Sequence, residues 1–265
     1  MNAAQSHPGT DAGRSHEGHV LAQFGPQAAA YVASAVHARG PDLEALAARL
    51  QDERPGRLLD LGCGGGHVSF TAAPFTGEVV AYDLSRQMLA AVGAEADRRG
   101  LANIVTAEGV AEALPFPDAA FDAVASRYSA HHWRDLKAGL GEARRVLKAG
   151  GRAVFMDVVA PAWPVADTFL QAIELLRDPS HGRDFSRAEW EAHLSAAGFV
   201  VEAATPQRLR LEFSSWVARI RTPELNVAAI RALEQSASAD VARHFEIEPD
   251  GTFTLDTLTL VARAA

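Results

Sequence analysis

At 265 residues, with 48% hydrophobic and 22% charged residues, the chain has the composition of an ordinary soluble globular protein with a sizeable core. A net charge of −8 excludes a global basic field for nucleic acid or anionic membrane. The one cysteine, Cys63, excludes an intrachain disulfide and fits a reducing, cytoplasmic setting; no stretch approaches a membrane span and Met1–His19 lacks a signal-peptide core.

Residues 1–18, rich in Gly, Ser, His and Ala, have too little apolar content to fold alone and are expected to form a disordered tail. His7, His16 and His19 match no metal spacing, so no metal is assigned there. From His19 a helical pattern runs through Val20, Leu21 and Phe24, then, after Gly25-Pro26, through Ala28, Tyr31, Val32, Ala35 and Val36. Pro41–Leu50 follows as a second helix, with Leu43, Leu46 and Leu50 at helical spacing.

The stretch that organises the chain is Arg57-Leu-Leu-Asp-Leu-Gly-Cys-Gly-Gly-Gly-His67. Leu58, Leu59 and Leu61 read as a buried parallel strand, Gly62 to Gly66 as a tight turn, and His67 as a helix start. Such a turn lets backbone approach a ligand with no Cβ in the way. A dinucleotide fingerprint places glycine or alanine where this chain has His67, which argues against a pyrophosphate. Asp60-x-Gly62-x-Gly64-x-Gly66 resembles the first motif of class I S-adenosylmethionine-dependent methyltransferases. In that family the turn lies against the cofactor's amino-acid and ribose portions. The resemblance extends back to Gln23–Tyr31, which is similar to the N-terminal segment of ubiquinone/menaquinone-type methyltransferases, where such a helix covers the cofactor. Phe24 and Tyr31 serve equally well as plain core residues.

Glu78–Asp83 reads as the second strand, one strand–helix–strand step after the first, and it too ends in a carboxylate. Asp83, with Leu84 beside it, suits a ribose diol, although dinucleotide and methyl-donor sites share this feature. Ser85 caps a helix to Arg99 that buries Met88, Leu89, Val92 and Ala96 and stops at Gly100. Asn103–Gly109 is the third strand. The loop Val110–Asp122 resembles the family's third and fourth motifs, where adenine is held. Many relatives carry Asp at the position of Val110, so here backbone, Glu112 or water must take the adenine amino group. Ala111, Leu114 and Phe116 are expected to form a flat slot for the purine.

Phe121–Tyr128 is the fourth strand, with Ser126 and Arg127 assigned to the cofactor side of its end. In a doubly wound sheet the ligand crevice lies where strand order reverses, between strands one and four. Tyr128, His131, His132 and Trp133 follow at that point. Tyr128 and the two histidines are the candidates for a catalytic base, the alternative being a structural histidine capping the next helix; a metal reading with Asp135 lacks a third ligand. A helix over Asp135–Leu147 is expected to end in a glycine C-cap at Lys148–Gly151, before a fifth strand at Arg152–Val159. "Arg-Val-Leu-Lys-x-Gly-Gly" before a strand again resembles the family, so the resemblance covers about residues 20–160.

Beyond Pro161 the pattern thins. Val165–Leu176 is an apolar helix, 177–184 a polar connection, and Ser186 with Glu189 has the spacing of a capping box for a helix stopping at Gly198. Phe199–Ala203 and Thr252–Val261 are the last two strands, paired antiparallel. Between them, 214–248 is a helical, substrate-side insertion with Trp216, Arg219 and Arg221. Arg208 and Arg210 precede it at strand spacing, and these arginines suit either an anionic substrate or a solvated face.

The reading is a Rossmann-like, doubly wound α/β domain over 19–265, with seven mostly parallel strands, an antiparallel last strand and helical additions. Its segments are an N-terminal lid (19–50), a cofactor core (55–160), substrate-side helices (161–250) and the last strand (251–265). The resemblance implies methyl transfer from S-adenosylmethionine to a small molecule at C, N or O, leaving S-adenosylhomocysteine. Cofactor contacts fall to Asp60, Gly62, Gly64, Gly66, Asp83, Leu84, Val110, Ala111, Glu112, Ser126 and Arg127. Substrate contacts fall to Phe24, Tyr31, Trp133 and Arg219. The alternatives are a dinucleotide-dependent oxidoreductase and a catalytically silent S-adenosylmethionine-binding module; oligomeric state, including a homodimer, is left open.

Overall fold

An apolar run without alternation needs cover on both faces. β1 (Arg57–Leu61) has it, with Leu58, Leu59 and Leu61 completely buried. At roughly 1.5–3 kcal/mol per buried leucine side chain, this one strand contributes several kcal/mol. It lies inside a seven-stranded sheet in the computed structural model, which describes residues 15–28, 32 and 39–265. The other strands are β2 (Glu78–Asp83), β3 (Ile104–Glu108), β4 (Phe121–Arg127), β5 (Leu147–Val158), β6 (Phe199–Leu211) and β7 (Phe253–Ala264). Their order is β3-β2-β1-β4-β5-β7-β6, and β7 runs antiparallel to both β5 and β6 while the remaining pairs are parallel. The expected doubly wound, Rossmann-like sheet with an antiparallel last strand is the one adopted. Chain order reverses between β1 and β4, and their carboxyl ends open the crevice there.

The described helices are α1 (His16–Phe24), α2 (Pro41–Glu53), α3 (His67–Ala72), α4 (Arg86–Arg99), α5 (Leu136–Val146), α6 (Pro164–Arg177), α7 (Arg187–Ala196), α8 (Phe213–Arg219), α9 (Glu224–Ser236) and α10 (Ala239–His244). Local chemistry sets several of their ends. Ser85 Oγ accepts from Met88 N at the start of α4 and Gly100 closes it left-handed; Ser186 and Glu189 form a reciprocal capping box on α7. A second apolar core, with Leu170, Ile173, Trp216, Ile230, Phe245 and Phe253, joins α6 and α8–α10 to the far ends of β6 and β7. It builds the C-terminal helices into a wall beside the crevice.

Three expectations need correction. Ser15 caps a helix beginning at His16, so order starts before the predicted tail boundary. Residue Tyr31 lies outside the described residues. β6 continues to Leu211 rather than stopping at Ala203, because its pairing with β7 persists to Phe253 and Leu209 and Leu211 pack into the second core. No glycine C-cap ends α5: Leu147 already pairs with Phe121, and 148–151 form an irregularity before Arg152 pairs with Ala123. The polar 177–184 connection, as expected a non-helical link, is largely buried, with Asp178, Ser180 and Asp184 at most 2% exposed.

Candidate active site

The glycine turn is tied down from both sides. Gly62 N and Cys63 N each donate to Tyr82 O at 2.9 Å, and Gly64 N donates to Asp83 Oδ2 at 2.8 Å. Asp60 Oδ2 accepts from Ser69 N at 2.9 Å and Ser69 Oγ at 2.6 Å, anchoring the first turns of α3. Gly62 and Gly64 need glycine for different reasons. At Gly62 (φ +73) a Cβ would lie 1.9 Å from Ser129 Oγ, so the protein itself requires the hydrogen. At Gly64 (φ +47) a Cβ would meet nothing within 4 Å. Its surroundings are open cleft, and the backbone there is available to a ligand.

That cleft holds about 1170 Å³ open to solvent. Residues 62–65 form one side, Asp83, Leu84 and Ser85 another, and Val110, Ala111 and Glu112 a third; Asp60, Trp133 and α1 also reach it. Asp83 Oδ1 accepts from Ser85 N at 2.8 Å, and burial raises its carboxyl above the usual range. Burial outweighs the Ser69 hydrogen bonds at Asp60 and lifts that carboxyl to about 7. Burial also pushes the Cys63 thiol well up, which suits a packing residue and not a nucleophile. α1 closes over the cleft by His16 Nε2 to His132 O at 2.6 Å and Arg134 to Glu17 at 3.3 Å, with the Phe24 and His132 rings 5.0 Å apart.

A second cavity of about 960 Å³ lies beyond a wall formed by Phe24, Arg127, Tyr128 and His132, residues that line both spaces. Its apolar side includes Leu209, Leu211, Trp216 and Leu255, and its polar side includes His131, Glu174 and Asp184, with Arg39 and Arg219 also present. Phe24 and Arg219 both border this second space, Phe24 bordering the first cleft as well, whereas Trp133 lines only the first. Arg208 and Arg210 are paired to Asp256 and Glu248 at 2.7 Å each.

The two adjacent histidines differ in every respect that matters to chemistry. His131 Nδ1 lies 2.6 Å from Asp157 Oδ1. Burial, the largest influence, opposes its charge, yet Asp157, then Asp184 and Glu174, lift it to about 9. The Asp157 carboxylate thus favours the imidazolium form of His131, which sets it apart from the base expected at this point of the chain. His132 Nδ1 lies 3.0 Å from Ser180 O, so that nitrogen carries the proton and Nε2 is the acceptor. Burial and the neighbouring His131 charge lower it to about 4, keeping it neutral. At Tyr128 burial, then Asp42, pushes the hydroxyl to about 12, and its backbone sits at φ +50.

Other assignments also change. Ser126 is buried and does not line the cleft; Gly66 lies beneath it against Val92 and Phe70. Arg127 does line it, but its guanidinium is bound to Asp42 (Nε to Oδ2, 2.5 Å) with both side chains at most 7% exposed. Of the predicted purine slot only Ala111 faces the cleft, since Leu114 is core and Phe116 packs edge-on to Tyr82 and Phe121. Glu112 Oε1 accepts from Asp135 N at 3.2 Å, and Asp135 caps α5 through Ala138 N. Sequence reasoning missed Asp157, Glu174 and Asp184. Asp157 left a signal, a lone acid within Ala153-Val-Phe-Met-Asp-Val158 at the end of the strand beside β4. Glu174 left a similar one, a lone acid within Ala172-Ile-Glu-Leu-Leu176 of the apolar helix, whereas Asp184 left none in its polar surroundings.

A doubly wound sheet with a glycine turn at the reversal point, a carboxylate ending β2 and a helix across the opening defines a cofactor cleft of the class I methyltransferase type. A family model for a methyltransferase domain (Methyltransf_11) matches residues 59–155. The chain is 50% identical over 200 residues to YafE of Escherichia coli, covering 76% of this chain and 97% of that one. It is 36% identical over 200 residues to the uncharacterized methyltransferase YcgJ of Bacillus subtilis, 76% of this chain and 79% of that one. The YcgJ crystal structure superposes with a TM-score of 0.81 over 84% of this chain and 97% of that chain, at 31% identity. A demethylmenaquinone methyltransferase of Chlorobaculum parvum is 36% identical over 118 residues, 44% of this chain and 47% of that one. The chain belongs to this family of class I S-adenosylmethionine-dependent methyltransferases.

Proposed function

We propose that the protein transfers a methyl group from S-adenosylmethionine, held in the first cleft, to a small molecule in the second cavity. The observation that carries this reading is the shared wall: His132 borders both the cleft of the glycine turn and Asp83 and a second pocket with Leu209, Leu211, Trp216 and Leu255 in its lining. The residues of the first cleft fit the cofactor. Asp83 has lone pairs left for a ribose diol, Gly64 leaves its backbone open, and Leu84, Val110 and Ala111 offer apolar surface to a purine. Bound there, the cofactor supplies a methyl group on a sulfonium leaving group. The chain's task is to hold the acceptor in line, exclude water and, where the acceptor arrives protonated, take its proton on His132 Nε2. The quinone methyltransferase among the relatives supports a small-molecule acceptor.

Calorimetry with S-adenosylmethionine against NAD tests the cofactor. Asp83→Ala should weaken S-adenosylmethionine binding by about 1.5–3 kcal/mol, the worth of a charged hydrogen-bonding group. Gly64→Val should weaken it further, because a β-branched residue resists positive φ and its methyls enter the cleft. Wild-type affinity in both variants would remove the cofactor from this cleft. Release of S-adenosylhomocysteine with a metabolite panel separates an enzyme from a silent binding module.

The same reading makes α1 a lid. It contributes His16, Val20 and Phe24 to the cleft, and none of its residues is fully buried. Segments that close over sites come from the less stable parts of a fold. Amide exchange in His16–Phe24 should slow on adding S-adenosylhomocysteine while β1 is unchanged. Equal protection with and without it would make α1 static core.

A further inference from the structure

We propose that the buried 178–184 segment is the positioning element of His132, with Asp178 as its anchor: Asp178 holds Ser180 so that the Ser180 carbonyl takes the Nδ1 proton of His132 and leaves Nε2 as the accepting nitrogen. The proposal deepens the reading of His132 as proton acceptor and rests on it.

A neutral imidazole carries its proton on either nitrogen, and the partner of one nitrogen decides the role of the other. A carbonyl oxygen can only accept, so the 3.0 Å contact of His132 Nδ1 with Ser180 O puts the proton on Nδ1. No hydrogen bond from a described residue reaches Nε2, and the ring borders both cavities. The Ser180 carbonyl is itself fixed. Asp178 Oδ1 accepts from Ser180 N at 2.8 Å and from Ser180 Oγ at 2.6 Å, and His181 N donates to Asp178 O at 3.0 Å, closing a tight turn around residue 180. The turn stands at the end of α6, where Asp178 N donates to Glu174 O at 2.8 Å. A second anchor is Gln171 on α6, whose Oε1 accepts from Asp184 N at 3.1 Å and whose Nε2 donates to Asp184 O at 2.8 Å.

The far side of the segment grips the loop that carries the histidine. His131 O accepts from Gly182 N at 2.8 Å and from Arg183 N at 3.1 Å. Glycine is required at 182 by that approach, since a Cβ there would lie 2.9 Å from His131 O. Asp178, Ser180 and His181 are buried, so solvent does not compete for these bonds. Three bonds thus join residues 180–183 to His131 and His132, and 180–183 lie beyond the 59–155 stretch that matches the family model. The methyltransferase core places the ring, and a segment outside it decides which nitrogen accepts.

The ring tautomer is read from 15N spectra of the histidine rings of the full chain at pH 7.5, with His132 assigned by the signals lost in H132Q. His132 should show a protonated Nδ1 and a bare Nε2. D178A should move the proton toward Nε2, whereas D178N, whose amide oxygen still accepts from Ser180, should keep the native spectrum. G182A should move the proton as D178A does; it leaves the Asp178 turn in place and carries the test if D178A does not fold. Turnover, followed as S-adenosylhomocysteine release, reads the same effect through the chemistry. In D178A, kcat should fall at least about tenfold, a share of the roughly 10²–10⁴-fold worth of a positioned base, with the KM for S-adenosylmethionine unchanged. In an H132A background D178A should cost nothing further, because its effect passes through the ring. A native His132 protonated at Nε2, a native spectrum in folded D178A or G182A, or a D178A loss that persists in full without His132 would overturn it. The tautomer is read without any acceptor, so failure of the methyltransferase reading is seen separately, in S-adenosylhomocysteine affinity and in the turnover of H132A.

Discussion

Replacing His132 by alanine should lower turnover by roughly 10²–10⁴-fold, the usual worth of a positioned general base. Affinity for S-adenosylhomocysteine should hardly change, because Asp83 and the glycine turn are left intact. His132 is singled out because its Nδ1 is committed to Ser180 O, and because its ring borders both the cofactor cleft and the second cavity. The pH profile adds a second readout. A base held to about 4 by burial and by the His131 charge stays unprotonated above that value. Turnover should therefore hold through the range where an ordinary histidine protonates and fall only as the pH approaches 4. Stability behaves differently: the unfolded chain takes up this proton first, so the contribution of the neutral ring is present above about 6.5 and is lost progressively as the pH falls from there to about 4. Turnover would be followed as S-adenosylhomocysteine release with whichever acceptor the metabolite panel yields. Full activity in His132→Ala would leave a site that works by positioning alone.

Asp42→Ala should destabilise the fold by about 3–5 kcal/mol, the cost of leaving a buried partner charge uncompensated. Asp42 on α2 holds the Arg127 guanidinium at the end of β4 through Nε at 2.5 Å and Nη2 at 3.2 Å, and the two side chains are only 5% and 7% exposed. Arg127 also lies over the Tyr128 ring at 4.7 Å, so the pair ties α2 to the wall between the two cavities. Asp42→Asn, which keeps an acceptor for the guanidinium, should lose less. Denaturant unfolding of both variants measures this, and a loss below about 1 kcal/mol in Asp42→Ala would show the pair to be solvated in solution.

The first cleft was readable because its determinants are local. Leu58 to His67 specify strand, turn and helix within a dozen residues, Asp83 follows after one crossover, and Ser85, Gly100, Ser186 and Glu189 set helix ends by contacts three or four residues away. Strand periodicity and capping chemistry act over that range, so residue order alone carries them. Arg127 and Ser126 were misplaced because a side chain at a strand end faces either the crevice or a neighbouring element, and only α2 decided which.

The second cavity had no such local record. Phe24, Arg39, His131, Glu174, Asp184, Leu209 and Arg219 come from distant parts of the chain and meet only when α6, α8 and the long end of β6 pack together. Folding of the 178–184 segment onto the crevice buries acids that look solvated in the sequence. The adjacent histidines show the same limit. One residue type, one position apart, gives a ring near 9 at His131 and near 4 at His132. The Asp157 carboxylate at Nδ1 lifts His131 against burial, whereas the Ser180 carbonyl at Nδ1 of His132 does not offset burial and the His131 charge. Both partners arrive through tertiary packing, and a charge felt across a buried contact has no counterpart in residue order.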